Sequence, residues 1–300
     1  MMHEDSVYEG LLGGDSSQWA FGTDFEDPLA GVDTSVPPGV DPAELARYCL
    51  ALGDDALVMS QRLAEWCSRA PELEDDVALA NLALDLLGQA RLLLARAAAA
   101  SPSVVPALPA GSPVPPEDAL AFFREAEAFR NVRLAEVPNG DFAHVIVRLL
   151  LFSVARYELL ARLRVSRDQV LAAVAARGVK EVSYQRDWAG RWFVTLGRGT
   201  AESRRRLLAA LSELWPFQGE LVSSHPLEAS LAAAGVGVDP ASFAQAVNTV
   251  LDEVFAAAGV ERPAGGVVWA GGRDGLHTEA LSRMLAEMQV VARAHPMGRW

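Results

Sequence analysis

The chain has few of the residues on which several common classes of protein depend. It contains two cysteines, Cys49 and Cys67, and one lysine, Lys180, among 300 residues. Both cysteines fall in one predicted helix, about 27 Å apart, which is too far for a disulfide. No uncharged apolar run reaches the roughly 18 residues of a membrane span, and no signal-peptide pattern opens the sequence. We therefore expect a cytoplasmic protein with reduced thiols and no membrane partner.

Positive charge is also scarce. The formal net charge is -13. Residues 1–40 hold eight acidic side chains and no lysine or arginine, which leaves 31 acidic against 26 basic side chains in residues 41–300. A nucleic-acid-binding protein needs a basic surface that follows the phosphate backbone. The sequence therefore argues against nucleic acid as a partner.

Alternating strand patterns are missing, and helical patterns take their place from residue 41 onward. The Gly-, Asp- and Ser-rich residues 1–40 predict an acidic, disordered tail, and residues 41–300 predict a single helical domain. Asp41 and Pro42 supply an N-cap followed by proline at the first helical position. A linker with six prolines, Ser101–Pro116, separates two helical blocks.

Four segments repeat apolar residues at alternating steps of three and four, the spacing of a helix that buries one face. Long helices with such faces are typical of a helical bundle, so the predicted fold class is all-α. The four segments lie at about 45–66, 79–93, 142–163 and 171–196, and further helices are predicted at about 202–222, 239–258 and 277–294.

Polar residues interrupt the apolar faces in the middle of three of these helices. They are Gln89, Ser153, Arg156 and Gln185. A buried polar group without a partner costs about 1–3 kcal/mol, so we expect these residues to bond to each other, to buried water, or to Asp85 and Glu181. They predict either an ordinary internal hydrogen-bond network or the bundle centre where four-helix oxygenases hold metal. We hypothesise that Arg156 forms an ion pair with Asp85 or Glu181.

Long stretches of the chain resemble one known family, the C subunits of the bacterial ring-epoxidising phenylacetyl-CoA oxygenases. They cover most of residues 43–300 and leave out the tail. The resemblance implies a ferritin-like bundle with additional C-terminal helices. The stretches are Leu52–Cys67, Ala70–Glu74, Ala78–Arg91, Asn131, Glu136, Pro138–Ala143, Val179–Tyr184, Gly272–Glu279 and Met284–Gln289.

The resemblance also implies a function in aerobic phenylacetate degradation. The chain would be a structural, non-catalytic subunit of the phenylacetyl-CoA 1,2-epoxidase complex, with no cofactor of its own. A homologous catalytic partner would carry the di-iron site in a heterodimer or higher hetero-oligomer. Electrons from NADPH would arrive through a reductase with FAD and an iron–sulfur centre, and other small subunits would complete the complex.

The residues at the implied metal positions are unsuited to iron. A ferritin-like di-iron site uses carboxylates from four helices and two Glu-x-x-His pairs, but the chain has no Glu-x-x-His. By analogy with the catalytic partner, none of the six ligand positions keeps a strong donor, so we expect no metal and no catalytic residue here. These positions hold Ala56, Leu86, Gln89, Ser153, Val182 and Gln185.

Two alternatives remain open from the sequence. The chain could be a self-sufficient di-iron enzyme or iron-binding protein with unusual ligands, or a free-standing helical module that binds CoA esters. Asp141 and His144 have the i, i+3 spacing of metal ligands, but a helix N-cap explains Asp141 better. In the Gly-rich stretch near the end, Asp274, His277 and Glu279 are candidates for contact with a partner protein.

Overall fold

The structure is a computed structural model that describes residue 29 and residues 31–264 and 268–298. Those residues form α-helices and short 3₁₀ turns and contain no strand, which confirms the all-α prediction. The α-helices are α1 Pro42–Ala64, α2 Leu73–Ala100, α3 Pro116–Phe122, α4 Arg133–Glu136, α5 Phe142–Leu163, α6 Gln169–Arg198, α7 Ala201–Leu214, α8 Pro226–Ala233, α9 Ala244–Ala258 and α10 Glu279–Ala294.

Four long helices form the centre of the ferritin-like bundle. Helix α1 packs along α2, α5 packs along α6, and α2 also contacts α6. Helices α7 and α9 pack against α5 and α6, α8 contacts α1, and α10 contacts α3. The chain therefore folds as a four-helix core with additional helices around it, including the predicted C-terminal ones.

Two of the four core helices, α1 and α5, begin at the N-cap residues that the sequence predicts. The carboxylate of Asp41 accepts a hydrogen bond from the backbone N–H of Ala43 at 2.8 Å, and Pro42 follows it. At the start of α5 the carboxylate of Asp141 accepts from the backbone N–H of His144, whose ring bonds back to the N-cap in a capping box. Asp141 is therefore an N-cap, as the sequence predicts.

Part of the predicted tail belongs to the helical domain. Residues 1–28 and 30 lie outside the described residues, but residues 31–40 pack on the domain surface, where Val36 and Val40 contact the core. The buried guanidinium of Arg96 donates to the carbonyl oxygens of Thr34 at 2.6 Å and Ser35 at 3.1 Å. The folded domain thus begins before residue 41.

Two predicted helix boundaries need correction. Helix α1 ends at Ala64, so Cys67 is exposed in the following turn, whereas Cys49 is buried inside the helix. The α-helix predicted at 202–222 ends at Leu214, and a 3₁₀ turn spans Trp215–Val222. Pro216 lies in that turn, and proline inside a helix removes a backbone donor and crowds the preceding turn. The sequence patterns also did not predict the short helices α3, α4 and α8.

Helix α2, one of the four core helices, is strongly apolar. It is the one helix among the described residues that is long and apolar enough to cross a membrane by length and composition. Core helices of soluble proteins pass the same test. Its most apolar window has a mean hydropathy of 1.5, yet only 44% of that window is buried. The remaining residues of this window are partly buried or exposed.

Candidate functional site

The six implied ligand positions all lie buried in the four core helices. Their side chains include none of the usual iron ligands: alanine, leucine and valine have no donor atom, and amides and hydroxyls are weak ligands for iron. Among the described residues, no group of three or more His, Cys, Asp or Glu side chains is arranged to hold a metal ion. The six ligand positions hold Ala56 on α1, Leu86 and Gln89 on α2, Ser153 on α5, and Val182 and Gln185 on α6.

A guanidinium lies beside these positions. Arg156 on α5 is 4% exposed, and its Nε donates to Oε1 of Gln89 at 2.9 Å. Its Nη1 donates to the carbonyl oxygen of Leu52 at 3.3 Å. Nη2 has no partner among the described residues. Burial lowers the pKa of Arg156 to about 10, which still leaves the side chain cationic at neutral pH.

The expected ion pair of Arg156 with Asp85 or Glu181 does not form. Gln89 lies between the charges instead: its amide oxygen accepts from Arg156, and its Nε2 donates to Oε2 of Glu181 at 2.9 Å. An amide can do both at once, because it carries an acceptor and two donors. Arg156 is therefore linked to Glu181 through Gln89 and makes no salt bridge with it.

The other polar residues of this region do not take part in the hydrogen bonds that link Arg156, Gln89 and Glu181. Ser153 donates to the carbonyl oxygen of Leu150 in its own helix at 3.4 Å. Neither amide atom of the fully buried Gln185 has a partner among the described residues. Asp85 is half-buried, and partial burial together with the nearby Glu181 carboxylate raises its pKa. Of the six residues predicted to form a polar network, Gln89, Arg156 and Glu181 therefore form one hydrogen-bonded trio. Asp85, Ser153 and Gln185 are not bonded to this trio.

A stronger polar cluster, which the sequence patterns did not predict, lies nearby. Arg273 forms a bidentate salt bridge with Asp55 on α1, with both N–O distances at 2.8 Å. Its Nε also bonds to the Glu228 carboxylate on α8 at 3.2 Å. Burial raises the pKa of Glu228, and Asp55 and Glu228 raise the pKa of Arg273 despite its burial. This cluster joins α1, α8 and the loop before α10.

The neighbouring Asp54 forms a second buried pair with Arg124, and it also accepts from the backbone N–H of Arg130 at 2.9 Å. The signal for both pairs was present in the sequence: two adjacent carboxylates, Asp54 and Asp55, interrupt an otherwise apolar helix. Buried charges of this kind require partners. Their partners come from loops distant in sequence, so the spacing alone could not name them.

A cavity of about 30 Å³ lies between the trio and the Arg273 cluster. Arg156, Glu220 and Arg273 are among its lining residues. Glu220 accepts hydrogen bonds from the backbone N–H groups of Arg133, Gly271 and Gly272 at 2.7–2.9 Å. A space of this size holds about one water molecule. It is far too small for a CoA ester.

The predicted partner-contact residues occupy different environments. The side chain of His277 is 4% exposed. Its Nδ1 contacts Oε2 of Glu136 at 2.6 Å, and its Nε2 contacts the carbonyl oxygen of Phe129 at 2.9 Å. The side chain of His277 is thus used inside the chain. Asp274 and Glu279 have side chains that are 64% and 76% exposed, so both are accessible at the surface.

The charge state of His277 follows from its two contacts. A carbonyl oxygen only accepts, so Nε2 must carry a hydrogen. Glu136 also accepts from Nδ2 of Asn131 at 2.9 Å and from the backbone N–H of Thr278 at 2.5 Å, which indicates an ionised carboxylate. Although burial opposes it, the Glu136 contact raises the pKa of His277. This buried ion pair ties α10 to the α4 segment.

Comparison with known proteins identifies the family to which the chain belongs. The model of the family described as "Phenylacetic acid catabolic protein" matches residues 31–300. A curated protein of Escherichia coli K12, named as the C subunit of 1,2-phenylacetyl-CoA epoxidase, is 42% identical over 260 residues. The aligned region covers 86% of this chain and 99% of the relative. The chain therefore belongs to the phenylacetic acid catabolic protein family, whose fold is the ferritin-like helical bundle.

Proposed function

We propose that this chain is a structural, non-catalytic subunit of a phenylacetyl-CoA 1,2-epoxidase complex, in which it pairs with and stabilises a homologous di-iron chain. Its relationship to a named subunit of such an epoxidase supports membership in the complex. Whether the chemistry belongs to this chain or to its partner depends on the residues at the bundle centre.

The observation that carries the non-catalytic assignment is the side-chain chemistry at that centre. The six positions that would supply iron ligands hold no carboxylate and no imidazole. The guanidinium of Arg156 contacts Gln89, one of these six residues, at 2.9 Å. A fixed cation in a region of low dielectric repels a metal cation. The residues present therefore do not fit a di-iron site, and oxygen activation is assigned to the partner.

Metal analysis tests this assignment. The purified chain is loaded with ferrous iron under anaerobic conditions, desalted and analysed by mass spectrometry for bound iron. We expect no stoichiometric iron in this chain. The comparison sample is the family member from the same organism that carries two Glu-x-x-His motifs, which should retain about two irons per chain. Two irons per chain in the present protein would support the alternative of a self-sufficient di-iron enzyme.

An activity measurement tests the pairing. Phenylacetyl-CoA consumption is followed with NADPH and the reductase for each chain alone and for the co-expressed pair. We expect no turnover by this chain alone and a stable stoichiometric complex when both chains are present. Tight binding of phenylacetyl-CoA by the isolated chain would instead favour a free-standing CoA-ester binding module.

A further inference from the structure

The cavity between the hydrogen-bonded trio and the Arg273 cluster is surrounded by buried residues and has charged groups in its lining. It measures about 30 Å³, and one water molecule needs about 10–15 Å³. Every lining residue is buried except Arg273, whose side chain is 12% exposed. Cavities that stay dry in proteins are lined by apolar groups, whereas Arg156, Glu220 and Glu228 all line this one. The lining therefore favours a polar occupant.

Arg156 supplies the lining with a hydrogen-bond donor that lacks an acceptor. Its Nε donates to Gln89 and its Nη1 to the carbonyl oxygen of Leu52, and neither of these two residues lines the cavity. Nη2 is buried and bonds to no described residue. A buried donor without an acceptor is costly, and more so on a charged group. The cavity is the space beside Arg156 in which an acceptor fits.

Glu228 supplies the lining with an acceptor that has unused capacity. A carboxylate has about four lone-pair positions. The oxygens of Glu220 already accept three backbone hydrogen bonds at 2.7–2.9 Å, whereas Glu228 accepts a longer bond, 3.2 Å, from Nε of Arg273 at its Oε1. Burial raises the pKa of both carboxyl groups, so a further donor would stabilise either ionised form. Glu228 has more room for that donor than Glu220.

The presence of both a donor and an acceptor decides what can occupy the cavity. A small anion could accept from Arg156 but could not donate to Glu228. A metal or ammonium cation could bind Glu228 but could not accept from a guanidinium, which has donors only. A water molecule accepts and donates at the same time, and it fits a space of about 30 Å³.

We propose that this cavity is a binding site for one ordered water molecule, which accepts a hydrogen bond from Nη2 of Arg156 and donates one to the carboxylate of Glu228. The water joins two groups of hydrogen bonds that are otherwise separate, the trio and the Arg273 cluster. One continuous polar network then runs from Glu181 on α6 to Asp55 on α1. The site lies within this chain, so it is present whether or not the proposed pairing with a homologous chain occurs.

A crystal structure of the purified full-length chain, at a resolution that shows ordered water, tests the site. We expect one density peak within hydrogen-bond distance, about 2.7–3.2 Å, of both Nη2 of Arg156 and a carboxylate oxygen of Glu228. A dry cavity would overturn the proposal. So would an Arg156 guanidinium that has moved to bond Glu228 directly.

Anomalous scattering separates water from an ion at the same position. Crystals are soaked in bromide and, separately, in rubidium, and anomalous difference maps are calculated for each. We expect no anomalous peak in the cavity with either ion. A bromide peak would assign the site to an anion and a rubidium peak to a cation, and either result would overturn the proposal.

Arg156→Met and a matched control, Arg162→Met, test the hydrogen bond from the guanidinium. Arg162 packs over the ring of Phe243, which lines the cavity, but Arg162 itself does not line it. We expect the water to be lost from Arg156→Met and to remain in Arg162→Met. A water at full occupancy and in the same place in Arg156→Met would overturn the proposed bridge. The wild-type maps refute or support the site by themselves, so the test does not depend on whether Arg156→Met folds.

Discussion

Two buried glutamines at the bundle centre, Gln185 and Gln89, should affect the unfolding free energy in opposite directions. Gln185→Leu removes two amide atoms that bond to no described residue, so we expect the unfolding free energy to rise by about 1 kcal/mol. Gln89→Leu removes the group that joins Arg156 to Glu181 and should lower it by about 1–3 kcal/mol. Urea denaturation of both variants measures the difference. Equal destabilisation by the two substitutions would contradict these roles.

Arg273 holds separate helices together, because it joins α1, α8 and the loop before α10. Arg273→Met leaves Asp55 and Glu228 buried without their cation. We expect a loss of about 3–5 kcal/mol in unfolding free energy, the effect of breaking a buried ion pair. The matched control is Arg283→Met, which breaks an exposed pair with Glu279 and should cost less than about 1 kcal/mol. Similar losses in both variants would refute the assigned role of the cluster.

The contact between Glu136 and His277 makes the attachment of α10 depend on pH. The pKa of His277 is raised, so its contribution is complete below its ordinary value of 6.5 and is lost as pH rises through the folded pKa. The pKa of Glu136 is lowered, so its contribution is complete above 4.5 and is lost as pH falls through the folded pKa. The pair therefore stabilises the protein most between about pH 4.5 and 6.5.

Unfolding free energies measured from pH 6 to 9 check this expectation. The wild type should lose stability toward pH 9, and His277→Gln should show a flatter profile over the same range. His225→Gln is the control, since His225 bonds to the exposed Asp274 at 3.2 Å. A wild-type slope that persists in His277→Gln would assign the pH dependence to other groups.

At the scale of the whole molecule, the proposed role predicts that this chain gains stability from its partner. A ligand that binds only the folded state at 100 times its dissociation constant adds about 2.7 kcal/mol. The thermal midpoint of this chain should therefore rise with the concentration of the homologous chain, as followed by scanning calorimetry. An equal concentration of an unrelated protein should leave the midpoint unchanged. No rise with the homologous chain would contradict the proposed pairing.

Much of the fold could be predicted from local patterns. The periodic apolar faces depend only on neighbours three and four residues away, and they identified α1, α2, α5 and α6. Caps such as Asp41 and Asp141 are also local, because the side chain bonds to backbone two or three residues onward. The missing Glu-x-x-His motif is a property of the sequence alone. It was enough to predict that the bundle centre lacks the usual iron ligands.

The tertiary structure alone decided which charges meet. Arg156 bonds to Gln89, where the sequence suggested Asp85 or Glu181, and Arg273 meets an aspartate on α1 that is distant along the chain. Such pairings depend on how loops return to the bundle, and no periodicity encodes that path. The tertiary structure also decided which side chains of α2 are exposed, because exposure depends on which neighbours the fold supplies. Helical periods are local physics, whereas ion pairs and exposed faces arise from packing across the whole chain.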